Sequence, residues 1–394
     1  MSTLLFVHNA YRIRAGEDAV ADDIVRILTS RGHRVIRWGA SSREMEGRPL
    51  PERVAAGAHA FFSVPVYRAL RRLAARERPA FAMVQNVFPY LSPSVYHALA
   101  HRGVPVVQNI FNYRFVCPAG TLYTGGRTCE RCVAGWTAPC VVHRCYRNSR
   151  AWSALYAAIV GLHRWAGTFT RPDVYALAAD ALRDPLVRGG LPGDRMVRIP
   201  NAFDAAPYAP GTGPGGHLLY VGRLDPEKGI STLLRAMAEA PGVPLKIVGR
   251  GTEDESLRKQ AVALKLDRVE FLGPVYGDAT VALIRESRAV VVPSEWMEVS
   301  PVVVLLAPAC ARPVIATRIG GLPEMVTDGA DGLLVAPGDA RALAAAIRAL
   351  AGDPDRAAAM GRAARSRVEA DSSPDRYYER LREAVSRLIR PGLL

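Results

Sequence analysis

Two cations and a carboxylate in the second half of the chain are of the types that bind an anionic, hydroxyl-rich ligand. Arg223 and Lys228 flank the loop 222–229, close enough to hold one diphosphate together. Glu298 follows an apolar run and precedes Ser300-Pro301, a favourable sequence for beginning a helix. A carboxylate beside the N–H groups of a helix start suits anions or hydroxyl-rich ligands. Surface charges beside an ordinary helix are the alternative interpretation.

Five of the six cysteines fall within 29 residues, in a stretch too rich in Gly, Thr, Pro and Arg to form a core alone. The spacing C-x11-C-x2-C-x12-C predicts a structural, four-thiolate zinc site. Its predicted ligands are Cys117, Cys129, Cys132 and Cys145, with Cys140 and His143 as substitutes. A redox pair or disulfide, which a reducing cytoplasm disfavours, and free thiols are the alternatives.

Strands and helices that alternate along the chain must position these groups. Apolar residues 4–7, a loop containing Gly16, an amphipathic segment 19–30 and residues 34–38 read as a βαβ unit. A Gly- and Pro-rich stretch at 205–217 reads as a linker, after which the same alternation restarts. The pattern predicts an α/β fold with two doubly wound sheets, in which ligands bind at the carboxyl ends of the strands.

Length and hydropathy restrict the class of protein. A chain of 394 residues is long for one core, so two domains are expected. The apolar runs are far shorter than a membrane span, and the N-terminus lacks the features of a signal peptide. We therefore expect a cytoplasmic protein, with peripheral contact to the inner face of the cell membrane as an additional possibility.

The net charge of +14 is confined to the first half of the chain. Residues 1–200 hold 27 Lys and Arg, all of them Arg, against 13 Asp and Glu, whereas residues 201–394 hold 24 of each. This asymmetry indicates contact with something anionic, and the basic amphipathic segment 63–79 could lie on a membrane. Arg-rich codon usage and a core-packed helix are the alternatives. No basic motif with interleaved aromatics is present, so nucleic acid is not an expected partner.

Several motifs carry a resemblance to a known family. They are Ala15-Gly16-Glu17-Asp18, Gly222-Arg223-Leu224-Asp225-Pro226-Glu227-Lys228-Gly229, Ile247-Val248-Gly249-Arg250-Gly251, Phe271-Leu272-Gly273, Pro293-Ser294-Glu295-Trp296, Gly320-Gly321-Leu322-Pro323-Glu324 and Gly332-Leu333-Leu334-Val335. Together they resemble the retaining glycosyltransferases of family 4, with the GT-B fold, over nearly the whole chain. The stretch from Asn112 to Arg147 resembles a cysteine-bearing subgroup of that family.

The resemblance implies two Rossmann-like domains that face a central cleft. Residues 1–204 would be the acceptor-binding domain, with a Cys-rich insertion at about 115–147. Residues 205–373 would bind the nucleotide sugar, and the helix in 374–394 would cross back onto the first domain. The reaction implied is sugar transfer, with retention, from a nucleoside-diphosphate sugar to an acceptor hydroxyl in polysaccharide, glycolipid or secondary-metabolite biosynthesis. UDP is the more expected nucleotide and GDP the less expected one, and no catalytic metal is implied.

The resemblance also implies residue roles. Arg223 and Lys228 would grip the diphosphate, and Glu298 would bind sugar hydroxyls. The other implied donor-binding residues are Gly16, Gly222, Arg250, Leu272, Val299, Ser300, Pro301, Val302 and Leu306. The implied acceptor-side residues are Asn9, Glu17, Asn86, Phe111, Asn112 and Arg114. The acceptor itself is not specified, and a lipid-linked or anionic molecule fits the basic first half.

Two positions depart from the family pattern. The second Glu of its E-x7-E motif falls at Leu306, which cannot accept hydrogen bonds from a ribose. The position of the subgroup's usual His is Phe111, which offers only packing. These departures keep open a catalytically altered or inactive, glycosyltransferase-like binding protein. A different nucleotide-sugar enzyme on the same fold, such as an epimerase or a phosphorylase, is a third interpretation.

Overall fold

The computed structural model describes residues 1–10, 16–41 and 59–394. These residues form two compact units, each with its own sheet. Unit 1 comprises residues 1–122, 129–202 and 374–394, and unit 2 comprises residues 123–128 and 203–373. Each unit contains a six-stranded, parallel sheet with helices between successive strands, which confirms the predicted α/β class with two doubly wound domains.

The sheet of unit 1 has the strand order β2-β1-β3-β4-β7-β8. The first four strands in the chain are β1 (Thr3–Ala10), β2 (Arg34–Ser41), β3 (Ala82–Val84) and β4 (Val106–Ile110). A separate antiparallel hairpin, which groups with unit 2, consists of β5 (Tyr123–Thr124) and β6 (Arg127–Thr128). The last two strands of unit 1 are β7 (Val174–Leu177) and β8 (Met196–Arg198). Strands β3, β4 and β7 are buried along their whole length, as expected for a parallel sheet covered on both faces.

The helices of unit 1 up to β8 are α1 (Gly16–Ser30), α2 (Val64–Glu77), α3 (Ser94–Ala100), α4 (Ala138–Val142), α5 (Arg150–Trp165) and α6 (Arg183–Arg188). Helix α1 buries Val20, Ile24, Ile27 and Leu28, the face that the sequence predicts. It begins at Gly16, three residues earlier than predicted. The acidic residues of its first turn favour the positive end of the helix dipole, so they belong to the helix rather than to the loop.

The sheet of unit 2 has the order β11-β10-β9-β12-β13-β14. Its strands are β9 (His217–Val221), β10 (Leu245–Val248), β11 (Val269–Gly273), β12 (Ser287–Val292), β13 (Val314–Thr317) and β14 (Gly332–Val335). Its helices are α7 (Ile230–Ala238), α8 (Asp254–Ala263), α9 (Asp278–Glu286), α10 (Val303–Ala309), α11 (Leu322–Met325), α12 (Ala340–Gly352) and α13 (Pro354–Asp371). The final helix, α14 (Pro374–Leu388), belongs to unit 1, where Tyr378 hydroxyl and His33 Nε2 are 2.8 Å apart.

In each sheet, strands are added first on one side of the strand that comes first in the chain, β1 or β9, and then on its other side. In unit 1 the reversal lies between β1 and β3, and in unit 2 it lies between β9 and β12. Loops that leave two such neighbouring strands run to opposite faces of the sheet. A crevice therefore opens at the carboxyl ends of the strands, where ligands of doubly wound proteins bind. The residues that follow β9 and β12 include Lys228 and Glu298.

Helix α10 begins at Val303, two residues after Pro301, where the sequence predicts its start. The turn before it contains Pro301, whose carbonyl accepts from Val304 N–H at 2.9 Å. The Gly- and Pro-rich stretch 205–217 lies just after the boundary between the units at 202 and 203, and most of its residues after Ala205 are exposed. Gly211 N–H donates to the Cys310 carbonyl at 2.8 Å.

Among residues 1–10, 16–41 and 59–394, no helix is both long enough and apolar enough to cross a bilayer.

Candidate active site

An ion pair joins the two loops at the strand reversal of unit 2. Lys228 ends a short 3-10 turn, Pro226–Lys228, that follows β9, and Glu298 lies in the loop after β12. Lys228 Nζ is 2.7 Å from Glu298 Oε1, and Ser294 Oγ donates to the same oxygen at 2.6 Å. The side chains of Lys228 and Glu298 are only 16% and 5% exposed. Lys228 Nζ also lies 4.8 Å from the centre of the Trp296 ring, so the cation has both an anion and an aromatic face.

Glu298 remains ionised despite its burial. Burial alone raises the pKa of the Glu298 carboxyl, but the charge of Lys228 and the hydrogen bonds from Lys228 and Ser294 outweigh that effect. Its pKa consequently lies below the ordinary value. At neutral pH this carboxylate accepts hydrogen bonds and does not act as a proton donor.

Two glycines let the surrounding loops approach this pair. Gly229 has φ +68°, and a Cβ there would collide with the Pro293 carbonyl in the loop after β12. Gly320 has φ +57°, and a Cβ there would lie 2.6 Å from Glu298 N. The next residue, Gly321, donates its N–H to the Glu298 carbonyl at 2.7 Å. Close contacts at Pro293, before Glu298 in the chain, and between Glu298 and the Gly320-Gly321 segment thus fix the backbone around Glu298.

Arg223 lies in the loop after β9 and has acidic partners of its own. Its guanidinium pairs with Asp225 and, at 2.6 Å, with Glu227. The Arg223 side chain is 57% exposed, so this pair is far more accessible to solvent and to a ligand than Lys228–Glu298. Asp225 in turn accepts from Thr252 N–H and Thr252 hydroxyl, both at 2.9 Å, which ties the loop to the residues after β10.

Most predicted donor-side residues lie along the same edge of the unit 2 sheet. Gly222 directly follows β9, Arg250 follows β10 with its side chain exposed, and Leu272 is the penultimate residue of β11. The residues that follow β12 toward α10 are Val299, Ser300, Pro301 and Val302. Leu306 is half-buried in α10 and packs partly against the core of unit 2. Gly16 is the first residue of α1 in unit 1, and Ala15 of its motif lies outside the described residues.

The hairpin β5–β6 contributes a residue that the sequence did not single out. Tyr123 hydroxyl donates to the Pro226 carbonyl at 3.4 Å, within the turn that ends at Lys228. Burial, with added repulsion from Glu295 and Glu227, raises the pKa of Tyr123 to about 12. The hydroxyl therefore stays protonated at neutral pH.

The predicted acceptor-side residues of unit 1 also lie together. Asn9, near the end of β1, exchanges bonds with Asn86, which follows β3: Asn9 N–H donates to the Asn86 carbonyl at 2.7 Å, and Asn86 Nδ2 donates to the Asn9 carbonyl at 3.0 Å. Asn112 Nδ2 donates to Glu17 Oε1 at 3.4 Å. Arg114 stacks over Phe88, Tyr146 and Tyr156, within 5.1–5.6 Å of each ring centre.

A small cavity adjoins these residues. Its volume is about 20 Å³, room for about one water molecule, and its walls include Asn86, Phe111, Asn112 and Arg114. Two further wall residues, Gln85 and Asn109, each bury one amide atom, Oε1 and Nδ2 respectively, that has no hydrogen-bond partner among the described residues. Buried amide atoms without partners are costly, so the cavity is suited to a polar occupant.

Sequence reasoning also missed a histidine–carboxylate pair in unit 1. His8 Nε2 lies 2.9 Å from Asp18 Oδ1, and both side chains are nearly buried. His8 is near the end of β1, and Asp18 is in the first turn of α1. The sequence does contain a signal for this pair, because a histidine near the carboxyl end of a strand precedes an acidic residue in the first turn of the next helix.

The cysteines do not form the predicted set of metal ligands. Among the residues that the structure describes, no three His, Cys, Asp or Glu side chains are arranged to hold a metal ion. Instead, Cys132, Cys140 and Ala157 form a small buried cluster, with Cys145 packed against it, and Cys117 is also buried. Cys129 is half-buried and lies outside this cluster. Burial, with added repulsion from Cys117, raises the pKa of Cys132 to about 11, so the Cys132 side chain is a thiol at neutral pH.

Removal of the positive charge from the buried pair tests its energetics. Lys228→Met keeps the length of the side chain but leaves Glu298 ionised and buried, so at neutral pH we expect the free energy of unfolding to fall by about 3–5 kcal/mol. Wild-type Glu298 has a lowered pKa and contributes stability that is lost as the pH falls through that value. In the variant burial dominates and raises the pKa, so its deficit should shrink as the pH is lowered from 7.5 to 5. Urea unfolding followed by circular dichroism at both pH values measures this.

Arg223→Met is the matched control, because the Arg223 side chain is 57% exposed and the expected loss is about 0–1 kcal/mol. Equal losses for both variants, or a Lys228→Met deficit that does not change with pH, would contradict a buried and ionised Glu298.

The sequence is similar to known proteins mainly in its second half. Residues 215–367 match the family described as Glycosyl transferases group 1. The chain is 39% identical to glycogen synthase of Mycobacterium tuberculosis over 183 residues, which are 44% of each chain. It is 36% identical to D-inositol 3-phosphate glycosyltransferase of Pseudarthrobacter chlorophenolicus over 196 residues, 45% of this chain and 46% of that relative. The alignments thus span somewhat less than half the length of these relatives.

Solved structures match over nearly the whole chain. HepE from Anabaena, crystallised in complex with UDP, has a TM-score of 0.70 at 17% identity and covers 98% of this chain and 100% of its own. Sucrose-phosphate synthase from Thermosynechococcus elongatus has a TM-score of 0.70 at 20% identity, over 98% of this chain and 99% of its own. At this identity the match establishes the fold. Residues 215–367 are therefore similar to the group 1 glycosyl transferases, and the chain has the GT-B fold.

Proposed function

We propose that the protein is a retaining glycosyltransferase that moves a sugar from a nucleoside-diphosphate sugar to an acceptor hydroxyl. The observation that carries this proposal is the Lys228–Glu298 pair, which lies at the strand reversal of unit 2 and within the residues that match the family. UDP is the proposed nucleotide, in keeping with the HepE structures in complex with UDP and with UDP-glucose. The product would enter polysaccharide, glycolipid or secondary-metabolite biosynthesis.

The reaction places growing negative charge on the leaving diphosphate. Lys228 and Arg223 are the cations that would stabilise it, and they act most strongly where burial excludes water. The Arg223 side chain is 57% exposed, so its guanidinium can turn from Asp225 and Glu227 toward a phosphate at little cost. Lys228 has one donor proton directed at Glu298 and two others to offer, since an ammonium carries three.

Glu298 would bind the sugar through its hydroxyls. Its low pKa makes it an acceptor of hydrogen bonds, and Ser294 fixes the direction of the carboxylate. No protein nucleophile is then required. The leaving phosphate oxygen would take the proton of the acceptor hydroxyl, which attacks the same face of the sugar that the diphosphate leaves.

In unit 1 we propose an acceptor-side role for Asn9, Glu17, Asn86, Phe111, Asn112 and Arg114. The supporting observation is the polar cavity with its two unpartnered amide atoms on Gln85 and Asn109. One hydroxyl group of an acceptor would fit this water-sized cavity, where it would donate to Gln85 Oε1 and accept from Asn109 Nδ2. The ring of Phe111 supplies an apolar wall.

Product formation tests the activity. Incubation with a panel of UDP- and GDP-sugars should release the free diphosphate in the presence of a suitable acceptor. Lys228→Ala and Arg223→Ala should each reduce turnover by about a hundredfold or more, because each removes a charge from the transition state. Lys259→Ala, which breaks an exposed ion pair with Glu255 on α8, is the matched control and should retain wild-type turnover.

Two results would overturn the proposal. One is the absence of both nucleotide binding and diphosphate release with every donor. The other is wild-type turnover in both site variants.

The alternative of an altered or inactive binding protein is favoured by one observation. Leu306 packs partly against the core and presents no acceptor where the family has its second Glu. Leu306→Glu should raise donor affinity at least several-fold if the ribose site is otherwise intact, as measured by calorimetric titration with UDP. Leu306→Met, which keeps the apolar contact, should leave the affinity unchanged. Unchanged or lost binding in Leu306→Glu would show that the site is built around Leu306.

A structural zinc is a separate proposal, and the structure changes its expected ligands. Cys132, Cys140 and Cys145 pack together whereas Cys129 lies outside their cluster, which favours Cys140 over Cys129 as the fourth thiolate. Elemental analysis of the purified protein should give about one zinc per chain, the stoichiometry of a four-thiolate site. Cys140→Ser should lose the metal, whereas Cys129→Ser and the distant Cys310→Ser should keep it. Metal-free wild-type protein with all its thiols reactive after denaturation would exclude zinc.

A further inference from the structure

Helix α5 has an exposed face without a single polar side chain. Ala151, Ala154, Ala158, Leu162 and Trp165 recur every three or four residues and are all exposed. The opposite face, with Tyr156, Ile159 and Val160, is buried in unit 1. A helix that is apolar on all sides is typical of one surrounded by protein or by lipid. Within the described ranges, however, no element covers this stripe.

A neighbouring loop extends the apolar stripe. Arg164 donates to the carbonyls of Cys132 at 2.7 Å, Val133 at 2.6 Å and Gly135 at 3.3 Å, which holds the loop that precedes Trp136 against the end of α5. Trp136 is 89% exposed and Trp165 is 87% exposed. Exposed tryptophans on one small region are unusual in a soluble surface, since each buries a large apolar area when it finds a partner.

Arginines flank this apolar region. Residues 129–166 contain five Arg and a single acidic residue, Glu130, which pairs with Arg188 at 2.8 Å. The loops before the region and before α5 contribute the exposed residues Arg131, Arg144 and Arg147, and α5 itself begins with the exposed Arg150. The surface is therefore apolar at its centre and positively charged at its ends.

We propose that this α5 surface, formed by Trp136, Val142, Leu162 and Trp165 with the flanking arginines, docks on an anionic lipid bilayer. Tryptophan rings prefer the interface between headgroups and acyl chains, and guanidinium groups pair with lipid phosphates. Docking is peripheral, because α5 spans only about 24 Å and carries arginines near both ends. The like-charged arginines disfavour a second copy of the chain as the occupant, since a two-fold interface would bring the same charges together.

This assignment differs from the one that the sequence indicated. Helix α2 has Arg68, Arg71, Arg72 and Arg76 and buries Leu70, while Val64 at its first residue is 43% exposed. It therefore offers charge with a smaller exposed apolar area than the α5 surface, which has two tryptophans more than 85% exposed. The proposed role of the α5 surface does not depend on the proposed sugar transfer.

Vesicle binding by the full chain tests the proposal. Wild-type protein should sediment with vesicles of phosphatidylcholine and phosphatidylglycerol, and far less with phosphatidylcholine alone. Trp136→Ser/Trp165→Ser and, separately, Arg144→Glu/Arg150→Glu should each weaken binding at least about tenfold at physiological salt. Brominated lipids should quench the tryptophan fluorescence of wild type, and the Trp136→Ser/Trp165→Ser variant should lose most of that quenching.

Matched control variants on unit 2 distinguish specific docking from nonspecific hydrophobic adsorption and from nonspecific charge attraction. Val262→Ser/Tyr276→Ser removes two exposed apolar side chains, and Arg341→Glu/Arg362→Glu reverses two exposed charges. Both should bind vesicles within about twofold of wild type. All substituted side chains are exposed, so thermal unfolding should be unchanged and confirms folding of each variant.

Three outcomes would overturn the proposal. The first is no binding to anionic vesicles, and the second is equal loss of binding in the control variants. The third is a lipid-free dimer that sedimentation velocity detects in wild type and not in Trp136→Ser/Trp165→Ser, because that would assign the surface to a second copy of the chain.

Discussion

The buried ion pair between Lys228 and Glu298 is the contact on which the ligand-binding edge of unit 2 depends. It links the loop after β9 to the loop after β12, the two strands between which the sheet order reverses. A second buried contact supports the loop after β12, because Thr317 Oγ1 donates to the Ser294 carbonyl at 2.6 Å. A buried charge without its partner is strongly unfavourable, so each member of the pair fixes the place of the other. The glycines at 229 and 320 serve this contact by allowing the two loops to approach.

The same pair would allow the proposed site for an anionic ligand to exist before the ligand arrives. Lys228 would be costly to bury alone, and Glu298 neutralises it while leaving two of its three protons undirected. Arg223 is more exposed to solvent, although the carboxylates of Asp225 and Glu227 that pair with it are mostly buried. The two cations thus differ in exposure, and both would offset the negative charge that increases in the proposed reaction.

The sequence predicted the parts of this site that depend on local order. Arg223, Lys228 and Glu298 follow apolar strands, and strand ends of a parallel sheet meet at one edge, so their grouping could be expected. The start of α10 differs by two residues from the predicted Ser300-Pro301 start, because Pro301 and Val302 form a turn ahead of the helix. The His8–Asp18 pair and the regrouping of the cysteines around Cys140 arise from tertiary packing, which spacing alone does not encode. The exposure of one face of α5 could not be predicted either, because a helix with apolar residues on all sides is normally expected to be buried.

A crystal structure of the protein with UDP bound would show directly whether Lys228 and Arg223 hold the diphosphate. We expect the diphosphate at the strand reversal of unit 2, with a phosphate oxygen within hydrogen-bonding distance of Lys228 Nζ and another near the Arg223 guanidinium. We also expect Lys228 to keep its contact with Glu298 while it binds the phosphate. A nucleotide bound elsewhere, or one whose phosphates contact neither cation, would show that these residues do not form the donor site.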